Sequence, residues 1–242
     1  MQVKINIYPD SDKLTESLAL KILDSLKKTS DRQQEFNIAI SGGSTPGKLF
    51  RFLAVHPHGL GVWRYVNFYW VDERCVPPDH EESNYHMAYE ALLGSLELQE
   101  DQIHRIRSED DSIREAGRYA ALINKQVPQR EGLPLFDLIL LGMGEDGHTA
   151  SIFPDRMDLI DTDQICETAR HPESGQQRIT LTGRTINNAS QILFLISGRE
   201  KSEKVAAILN EEEGRFQYPA AHIKPGHGSL EWFLDQEAAC LL

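Results

Sequence analysis

The sequence predicts an α/β protein with a Rossmann-like, doubly wound and mostly parallel sheet that is flanked by helices. Segments with the two-residue period of a strand alternate along the chain with segments that repeat apolar residues at helical spacing. Several strand-like runs end in glycine, hydroxyl and charged residues, which suits the carboxyl edge of an open sheet. No repeat or linker interrupts the 242 residues, of which 40% are hydrophobic. We therefore expect a single domain over residues 1–242.

The strands are predicted from apolar or alternating runs bounded by turn residues. Residues 3–8 and 178–182 alternate, whereas residues 138–141 are four consecutive apolar residues, which indicates a strand buried on both faces. The helices are predicted from apolar residues three and four positions apart, as between residues 14 and 29. In chain order, the predicted strands are 3–8, 36–40, 66–71, 136–141, 178–182 and 191–196, and the predicted helices are 14–29, 48–55, 84–93, 113–126 and 201–209.

Composition and charge exclude several classes of partner and cofactor. The formal net charge of −12 argues against nucleic acid or an anionic membrane as a partner, although a local basic cluster can still bind a small anion. The three cysteines form no CxxC pair, so neither a zinc site nor a disulfide framework is indicated, and a reducing cytoplasm is the simplest setting. His56-Pro57-His58 has no carboxylate or cysteine pattern to support a metal site. The N-terminus alternates unlike a signal peptide, and no apolar run approaches the roughly 18 residues that span a bilayer.

Four predicted strand ends carry the residues that suggest chemistry. They are residues 41–45, 72–74, 144–148 and 197–201. The carboxyl ends of strands in a doubly wound sheet converge on one edge, where ligands bind. The sequence therefore predicts one pocket that is built from these four distant segments.

The first of these ends, Ser41-Gly42-Gly43-Ser44-Thr45-Pro46, joins a predicted strand to a predicted helix. Its glycines allow main-chain N–H groups to point inward, and its hydroxyls add donors beside a helix N-terminus, which suits a phosphate or carboxylate. It lacks the spacing of a nucleotide-binding loop. The alternative interpretation is a helix N-cap with Pro46 in the first turn.

The segment 138–151 opens a buried strand with three glycines within six positions and places Asp146 and His148 inside the break. Glycine permits positive φ and close approach of the backbone to a ligand. A histidine at the carboxyl end of a parallel strand lies where open α/β sheets carry their chemistry. His148 is therefore a candidate catalytic residue, and a plain glycine-rich turn is the alternative.

Three basic residues at strand or helix starts are candidate anion ligands. Arg74 follows Asp72-Glu73 at the end of a strand and could clamp an anion with two hydrogen bonds, or could form an internal ion pair instead. Lys201 begins a predicted helix and Arg178 begins a predicted strand. A solvated surface side chain is the alternative for both residues.

Taken together, these segments resemble the 6-phosphogluconolactonase family, of the glucosamine-6-phosphate isomerase/deaminase-like superfamily. The resemblance rests on Ser-Gly-Gly-Ser-Thr-Pro at 41–46, Trp-Val-Asp-Glu-Arg-Cys-Val-Pro at 70–77 and Gly-Met-Gly-Glu-Asp-Gly-His-Thr-Ala-Ser-Ile-Phe-Pro at 142–154. Shorter matches continue it at 83–84, 178–182, 186–189, 198–201, 219–221 and 228–235. The matching segments follow in order over nearly the whole chain.

The resemblance implies the isomerase/deaminase-like architecture and hydrolysis of 6-phospho-D-glucono-1,5-lactone to 6-phosphogluconate, the second step of the oxidative pentose phosphate pathway. It implies no cofactor and no metal. By the same resemblance, His148 would be the general base that activates water, and Asp146 would orient or polarise it. The implied substrate-binding residues are Gly43, Ser44, Thr45, Asp72, Arg74, Asn84, Gly144, Arg178 and Lys201, with the three basic side chains on the phosphate and Asn84 on the sugar hydroxyls. The only partner expected is the sugar-phosphate lactone, with no nucleic acid or membrane, for a cytoplasmic monomer or weak homo-oligomer.

Two other functions compete with this one. A hexosamine-6-phosphate isomerase/deaminase shares the fold and the Gly-x-Gly-x-Asp-Gly-His segment, but here Arg74 stands where that sister family has Tyr, and the acid of its Ile-Ala-Phe-Asn-Glu run after the histidine is missing. A non-enzymatic sugar-phosphate sensor could use the same pocket, but the 242 residues leave no basic helix-turn-helix segment, and both Asp146 and His148 are present.

Overall fold

The protein is described from a computed structural model that covers residues 3–56 and 61–242. Pro57 and His58 of the His-Pro-His segment lie outside the described residues, as do Met1 and Gln2. In the described ranges the strands are β1 (Lys4–Tyr8), β2 (Phe36–Ile40), β3 (Val66–Trp70), β4 (Asp72–Arg74), β5 (Ile103–His104), β6 (Gln129–Arg130), β7 (Leu133–Pro134), β8 (Leu138–Leu141), β9 (Cys166–Arg170), β10 (Gln177–Leu181), β11 (Gln191–Ile196) and β12 (Ser229–Asp235). The α-helices are α1 (Ser11–Ser30), α2 (Ser44–Val55), α3 (Asn84–Ala91), α4 (Ser112–Gln126), α5 (Asp158–Asp161), α6 (Gly183–Asn187) and α7 (Ser202–Leu209).

The central sheet has seven strands in the order β1-β12-β11-β8-β2-β3-β5, and every neighbouring pair is parallel. Helices follow most of its strands, as crossover connections between parallel strands require. The four apolar residues of β8 are all buried, as expected for a central strand covered on both faces. The predicted fold class is confirmed.

The topological switch point lies between β2 and β8. From β2 the chain moves outward through β3 to β5, and then returns to β8 and continues in the opposite direction through β11 to β12. The loops that leave two adjacent strands at such a point diverge and leave a crevice outside the carboxyl edge. Here those loops are residues 41–43 and 142–151, two of the four segments selected from the sequence.

A separate antiparallel sheet, in the order β4-β10-β9, extends from the end of β3. The predicted strand 66–71 is observed as β3, which ends one residue earlier at Trp70, and the short strand β4, which was not predicted, begins at Asp72. Arg178 of β10 lies directly opposite Arg74 of β4. This small sheet brings together two basic residues that are 104 positions apart in the chain.

The helices and core fix the ends of the strands. Helix α1 packs against α2 and the β1–β12 edge, while α4 packs against β9 and β10. Tyr119 of α4 is fully buried, and its hydroxyl accepts from the Trp70 amide at 2.8 Å and donates to the Trp70 carbonyl at 3.1 Å. Strand β5 pairs with β3 only as far as Tyr69. The Tyr119 hydroxyl therefore takes the place of a neighbouring strand at Trp70, the last residue of β3, and satisfies its backbone groups. Within the described residues, no helix is both long and apolar enough to cross a membrane.

Candidate active site

A cavity of about 380 Å³ opens at the carboxyl ends of the central strands, over the switch point. The predicted residues that line it are Gly43, Ser44, Thr45, Asp72, Arg74, Asn84, Gly144, His148, Arg178 and Lys201. All four strand-end segments contribute to this lining. Asp146 is not in the lining and instead contacts His148 from the side of its own loop. The structure thus brings the predicted site residues together, while their individual roles stay predictions.

His148 and Asp146 form a hydrogen-bonded pair. The His148 Nδ1 and Asp146 Oδ1 atoms are 2.6 Å apart, and the backbone N–H of His148 donates to the same oxygen at 3.1 Å. Burial acts to raise the pKa of Asp146, but the hydrogen bond and the charge of His148 outweigh it, so the pKa is lowered. An ionised carboxylate only accepts hydrogen bonds, so in the neutral form of the imidazole Nδ1 carries the proton and Nε2 has the lone pair. This is the tautomer that a general base at Nε2 requires.

The ring of His148 is held in place by its neighbours. It packs against the buried Phe153 with a centroid distance of 4.8 Å. A Cβ atom on Gly144 would overlap the His148 ring and come within 2.6 Å of Asp146 Oδ1. Gly147 has φ of +82°, and a Cβ there would lie 2.7 Å from the Tyr218 ring. Glycine at both positions therefore allows the tight turn that sets the Asp146–His148 pair.

Helix α2 begins at Ser44, four residues before the predicted start at Lys48, and points its N-terminus at the cavity. Its N-cap is Gly43, with φ of +106° and no side-chain hydrogen bond, so the first amides of the helix have no capping side chain. Pro46 does lie in the first turn, as the alternative interpretation supposed. The earlier start follows from the glycine, because its positive φ turns the chain into the helix directly after β2.

Arg74 and Arg178 lie opposite each other in the small sheet. Both side chains are half-buried, and the Nε atom of each is buried without a hydrogen-bond partner. In the described part of the chain, neither forms an ion pair, so the alternative in which Arg74 pairs internally with Asp72 or Glu73 is not observed. Burial, and after it the charge of Arg74, lowers the pKa of Arg178. Two like charges directly opposite on neighbouring strands destabilise the sheet, unless an anion lies between them.

Glu73 is a structural residue. It is 1% exposed and accepts hydrogen bonds from the Asn84 and Tyr85 amides at 2.7 and 2.8 Å and from the Ser83 hydroxyl at 3.1 Å. Burial raises its pKa in spite of these bonds. Glu73 thereby fixes the first turn of α3, which carries Asn84 into the cavity. The Asn84 Nδ2 group donates to the carbonyl of Asp72 at 2.9 Å, and a Cβ on Gly42 would overlap this side chain.

Lys201 lines the same cavity and follows β11 in the chain. Its side chain is 18% exposed, and its Nζ atom is 3.9 Å from Glu145 Oε1. The lysine is therefore not the solvated surface residue of the alternative interpretation. Glu145 and Glu200 also line the cavity, and sequence reasoning assigned no role to either. The only sequence signal for them was their position next to Asp146 and Lys201.

Ser151 is a further residue that sequence reasoning did not select. Its hydroxyl donates to Asp72 Oδ2 at 2.6 Å, and both residues are buried. Its signal in the sequence was its position three residues after His148, in the same strand-to-loop segment. Across residues 3–56 and 61–242, no three His, Cys, Asp or Glu side chains are arranged to hold a metal ion.

Comparisons of the sequence and the structure with known proteins point to the same family. The family model described as glucosamine-6-phosphate isomerases/6-phosphogluconolactonase matches residues 9–232. A 6-phosphogluconolactonase of Treponema pallidum (strain Nichols) is 39% identical over 238 residues, which are 98% of this chain and 92% of that protein. The 6-phosphogluconolactonase of Homo sapiens is 35% identical over 98% of this chain and 93% of that protein. The solved 6-phosphogluconolactonase of Trypanosoma brucei superposes with a TM-score of 0.86 at 29% identity, over 100% and 99% of the two chains. A monomeric glucosamine-6-phosphate deaminase, 19% identical with a TM-score of 0.81, shares the fold.

Proposed function

The chain belongs to the family of glucosamine-6-phosphate isomerases and 6-phosphogluconolactonases, and on that premise we propose that it hydrolyses 6-phospho-D-glucono-1,5-lactone to 6-phospho-D-gluconate. This reaction is the second step of the oxidative pentose phosphate pathway. The proposal rests on one observation: the hydrogen-bonded Asp146–His148 pair adjoins the same cavity as Arg74 and Arg178, whose buried Nε atoms have no hydrogen-bond partner. The chemistry is that of a lactone hydrolase whose substrate carries a phosphate.

Hydrolysis begins at Nε2 of His148. This atom takes a proton from water as the water oxygen attacks C1 of the lactone, and the carbonyl oxygen becomes an oxyanion. When the tetrahedral intermediate collapses, the ring oxygen leaves as the C5 hydroxyl and takes the proton back from the imidazolium. Asp146 holds Nδ1–H throughout and stabilises the imidazolium. A lactone is an activated ester, so a positioned base is sufficient, and such a base contributes about 10²–10⁴-fold.

The phosphate binds to groups on both sides of the switch point. Arg74 and Arg178 supply guanidinium donors whose Nε atoms are otherwise unpaired, and Lys201 supplies an ammonium group. The uncapped amides at the N-terminus of α2, with the Ser44 and Thr45 hydroxyls, add donors and the positive end of the helix dipole. The phosphate therefore serves as a handle whose binding energy orients the lactone ring.

The lactonase is favoured over the deaminase by the residue five positions after the histidine. The isomerase/deaminase pattern has Glu at that position, whereas this chain has Phe153, which is 1% exposed and packs against the His148 ring. An aromatic ring cannot exchange the proton that ring opening and deamination require. This chain therefore lacks the acid that the rival reaction would use at position 153.

The proposal extends to the setting of the enzyme. Its partner is the small sugar-phosphate lactone alone, and it acts as a cytoplasmic monomer or weak homo-oligomer without nucleic acid or membrane. The net charge of −12 supports the exclusion of nucleic acid, and the absence of a disulfide pattern supports a reducing compartment.

The decisive experiment compares freshly generated 6-phosphogluconolactone with unphosphorylated gluconolactone in a pH-stat assay, after spontaneous hydrolysis is subtracted. Rapid turnover that is confined to the phosphorylated lactone is the expected result. No rate above the background, together with release of ammonia from glucosamine 6-phosphate, would transfer the assignment to the deaminase. No turnover with tight binding of either sugar phosphate would indicate a sensor.

A further inference from the structure

Asp72 is held by a buried network that runs through three segments of the chain. The Ser151 hydroxyl lies 2.6 Å from Asp72 Oδ2, and the Ser151 amide donates to the Thr180 hydroxyl at 3.2 Å. The Thr180 hydroxyl in turn donates to the Leu181 carbonyl at 2.9 Å. Thr180 also lies directly opposite Asp72 in the β4–β10 pairing. The His148 loop, the start of β4 and the strand that carries Arg178 are thus joined at one point.

The direction of each hydrogen bond in the network is fixed. A carboxylate accepts but does not donate, so the single proton of the Ser151 hydroxyl is committed to Asp72 Oδ2. The Thr180 hydroxyl gives its proton to a carbonyl and therefore accepts from the Ser151 amide. Ser151 and Thr180 are 1% and 0% exposed, so water does not compete with these bonds. Each group has one arrangement, which makes Ser151 a rigid support for the carboxylate.

The other oxygen of Asp72 is left for a ligand. Asp72 lines the cavity, and in the part of the chain that the structure describes, Oδ2 is the carboxylate oxygen for which a hydrogen bond is observed. A sugar lactone presents hydroxyl groups, which are donors, and a fixed carboxylate oxygen is a strong acceptor for one of them. The cationic groups of the cavity, by contrast, match the phosphate.

We propose that Ser151 is a positioning residue of this enzyme: its hydroxyl holds Asp72 so that Oδ1 accepts a hydrogen bond from a ring hydroxyl of the lactone. The inference rests on the proposed function and deepens it, because it divides the cavity between a phosphate part and a sugar part. Ser151 lies three residues after His148, so the hydrogen bond also ties the orientation of the sugar ring to the catalytic loop. The lactone carbonyl is thereby aligned with the water that His148 activates.

The test compares the Ser151→Ala variant with the wild type in KM for the lactone and in Kd for two ligands, 6-phosphogluconate and inorganic phosphate. Loss of the hydroxyl frees the Asp72 carboxylate to rotate, so we expect KM for the phosphorylated lactone and Kd for 6-phosphogluconate to rise about tenfold, in the range of one hydrogen bond to a charged group. The Kd for inorganic phosphate should stay within twofold of the wild-type value, because phosphate does not contact Asp72. In a background of Asp72→Asn, the same substitution should have little further effect on KM.

Control variants keep the result interpretable. Ser108→Ala removes another buried serine hydroxyl, which donates to the Val76 carbonyl and does not line the cavity, and it should leave KM unchanged. Ser151→Cys keeps the side-chain volume but has a weak donor, so it replaces the alanine variant if that variant does not fold. Equal rises in Kd for phosphate and 6-phosphogluconate, or a KM within twofold of the wild-type value, would overturn the proposal. Absence of lactonase turnover in the wild-type protein would instead overturn the proposed function.

Discussion

The hydrogen bond between Asp146 and His148 gives the two side chains different tasks. Asp146 stays ionised because its pKa is lowered, and it therefore fixes the proton on Nδ1 of His148. Nε2 is left for the role of base that we propose. The position of the ring depends on Phe153 on one side and on the absence of a side chain at Gly144 on the other. The catalytic geometry is thus a property of four residues within one loop.

The first prediction concerns His148 itself. In His148→Ala the water loses its base, so kcat for the phosphorylated lactone should fall about 10²–10⁴-fold, while KM changes little because the phosphate contacts remain. The measurement is kcat and KM by pH-stat, with the circular dichroism melting curve as the control for folding. A folded variant with more than half of the wild-type kcat would remove His148 from the mechanism.

Gly144→Ala is predicted to disable the same pair without removing either member. The added methyl group would overlap the His148 ring and crowd Asp146 Oδ1, so the imidazole must rotate away. We expect a loss of kcat of about 10²-fold or more, since a displacement of about 1 Å can cost that much.

The matched control is Gly117→Ala. This residue lies within α4, and an added Cβ meets no atom within 4 Å. This variant should keep full activity and gain about 0.5–1 kcal/mol of stability from helix propensity. If Gly144→Ala retained wild-type kcat, the steric role of the glycine would be wrong.

At the scale of elements, the β4–β10 pairing brings two arginines from distant segments together. It sets Arg74 directly opposite Arg178, and both guanidinium groups have a buried Nε without a partner. Such a pair lowers the stability of the fold when no anion is bound, and an anion that binds the folded state offsets this loss. Element geometry rather than sequence proximity creates the anion site that we propose.

Arg178→Met is therefore predicted to have effects of opposite sign with and without phosphate. In phosphate-free buffer the variant should be as stable as the wild type or more stable by up to about 1 kcal/mol, because the like-charge contact is gone. With inorganic phosphate at about 100 times its Kd for the wild type, the wild type should gain about 2.7 kcal/mol while the variant gains much less. Thermal melting in both buffers makes the comparison, with Arg64→Met, whose residue does not line the cavity, as the control. Equal stabilisation of Arg178→Met and wild type would exclude Arg178 from the anion site.

For the whole molecule, stability depends on pH through groups far from the cavity. His104 in the edge strand β5 is 7% exposed and stacks on Tyr69 with a centroid distance of 4.5 Å. Burial lowers its pKa, and this effect exceeds the opposite influence of Asp101. The folded protein therefore holds His104 neutral at a pH where the unfolded chain has begun to protonate it.

His104→Phe is predicted to remove this pH dependence. Above the unfolded pKa of about 6.5 the contribution of His104 is constant, and it is lost as the pH falls from there toward the lower folded pKa. Between pH 7.5 and 5.5 the wild type should lose up to about 1.4 kcal/mol relative to the variant, which keeps the aromatic stacking but does not titrate. Urea unfolding at pH 7.5 and 5.5 measures the difference. A difference between the two proteins that does not change with pH would contradict the prediction.

The sequence alone predicted a large part of the fold and the site. Alternating periods predicted the parallel α/β class, and unusual residues at strand ends predicted that residues as distant as Ser44 and Lys201 share one pocket. The strand β9 and the separate sheet of β4, β10 and β9 were not predicted, because pairing between distant short strands leaves no local pattern. The helix start at Ser44 was also missed, because a glycine N-cap has no side chain to signal it.

The sequence by itself determined which residue types stand at the ends of the central strands, and thereby the class of chemistry and the family. This is possible because strand period, glycine and chemical groups are local properties of the chain. Only the tertiary structure decided that Arg74 faces Arg178, that Phe153 packs against His148, and that the Ser151 hydroxyl is bonded to Asp72. The Arg74–Arg178 and Ser151–Asp72 contacts depend on register and packing between segments far apart in the chain, and the packing of Phe153 on His148 depends on how their common loop folds against the core.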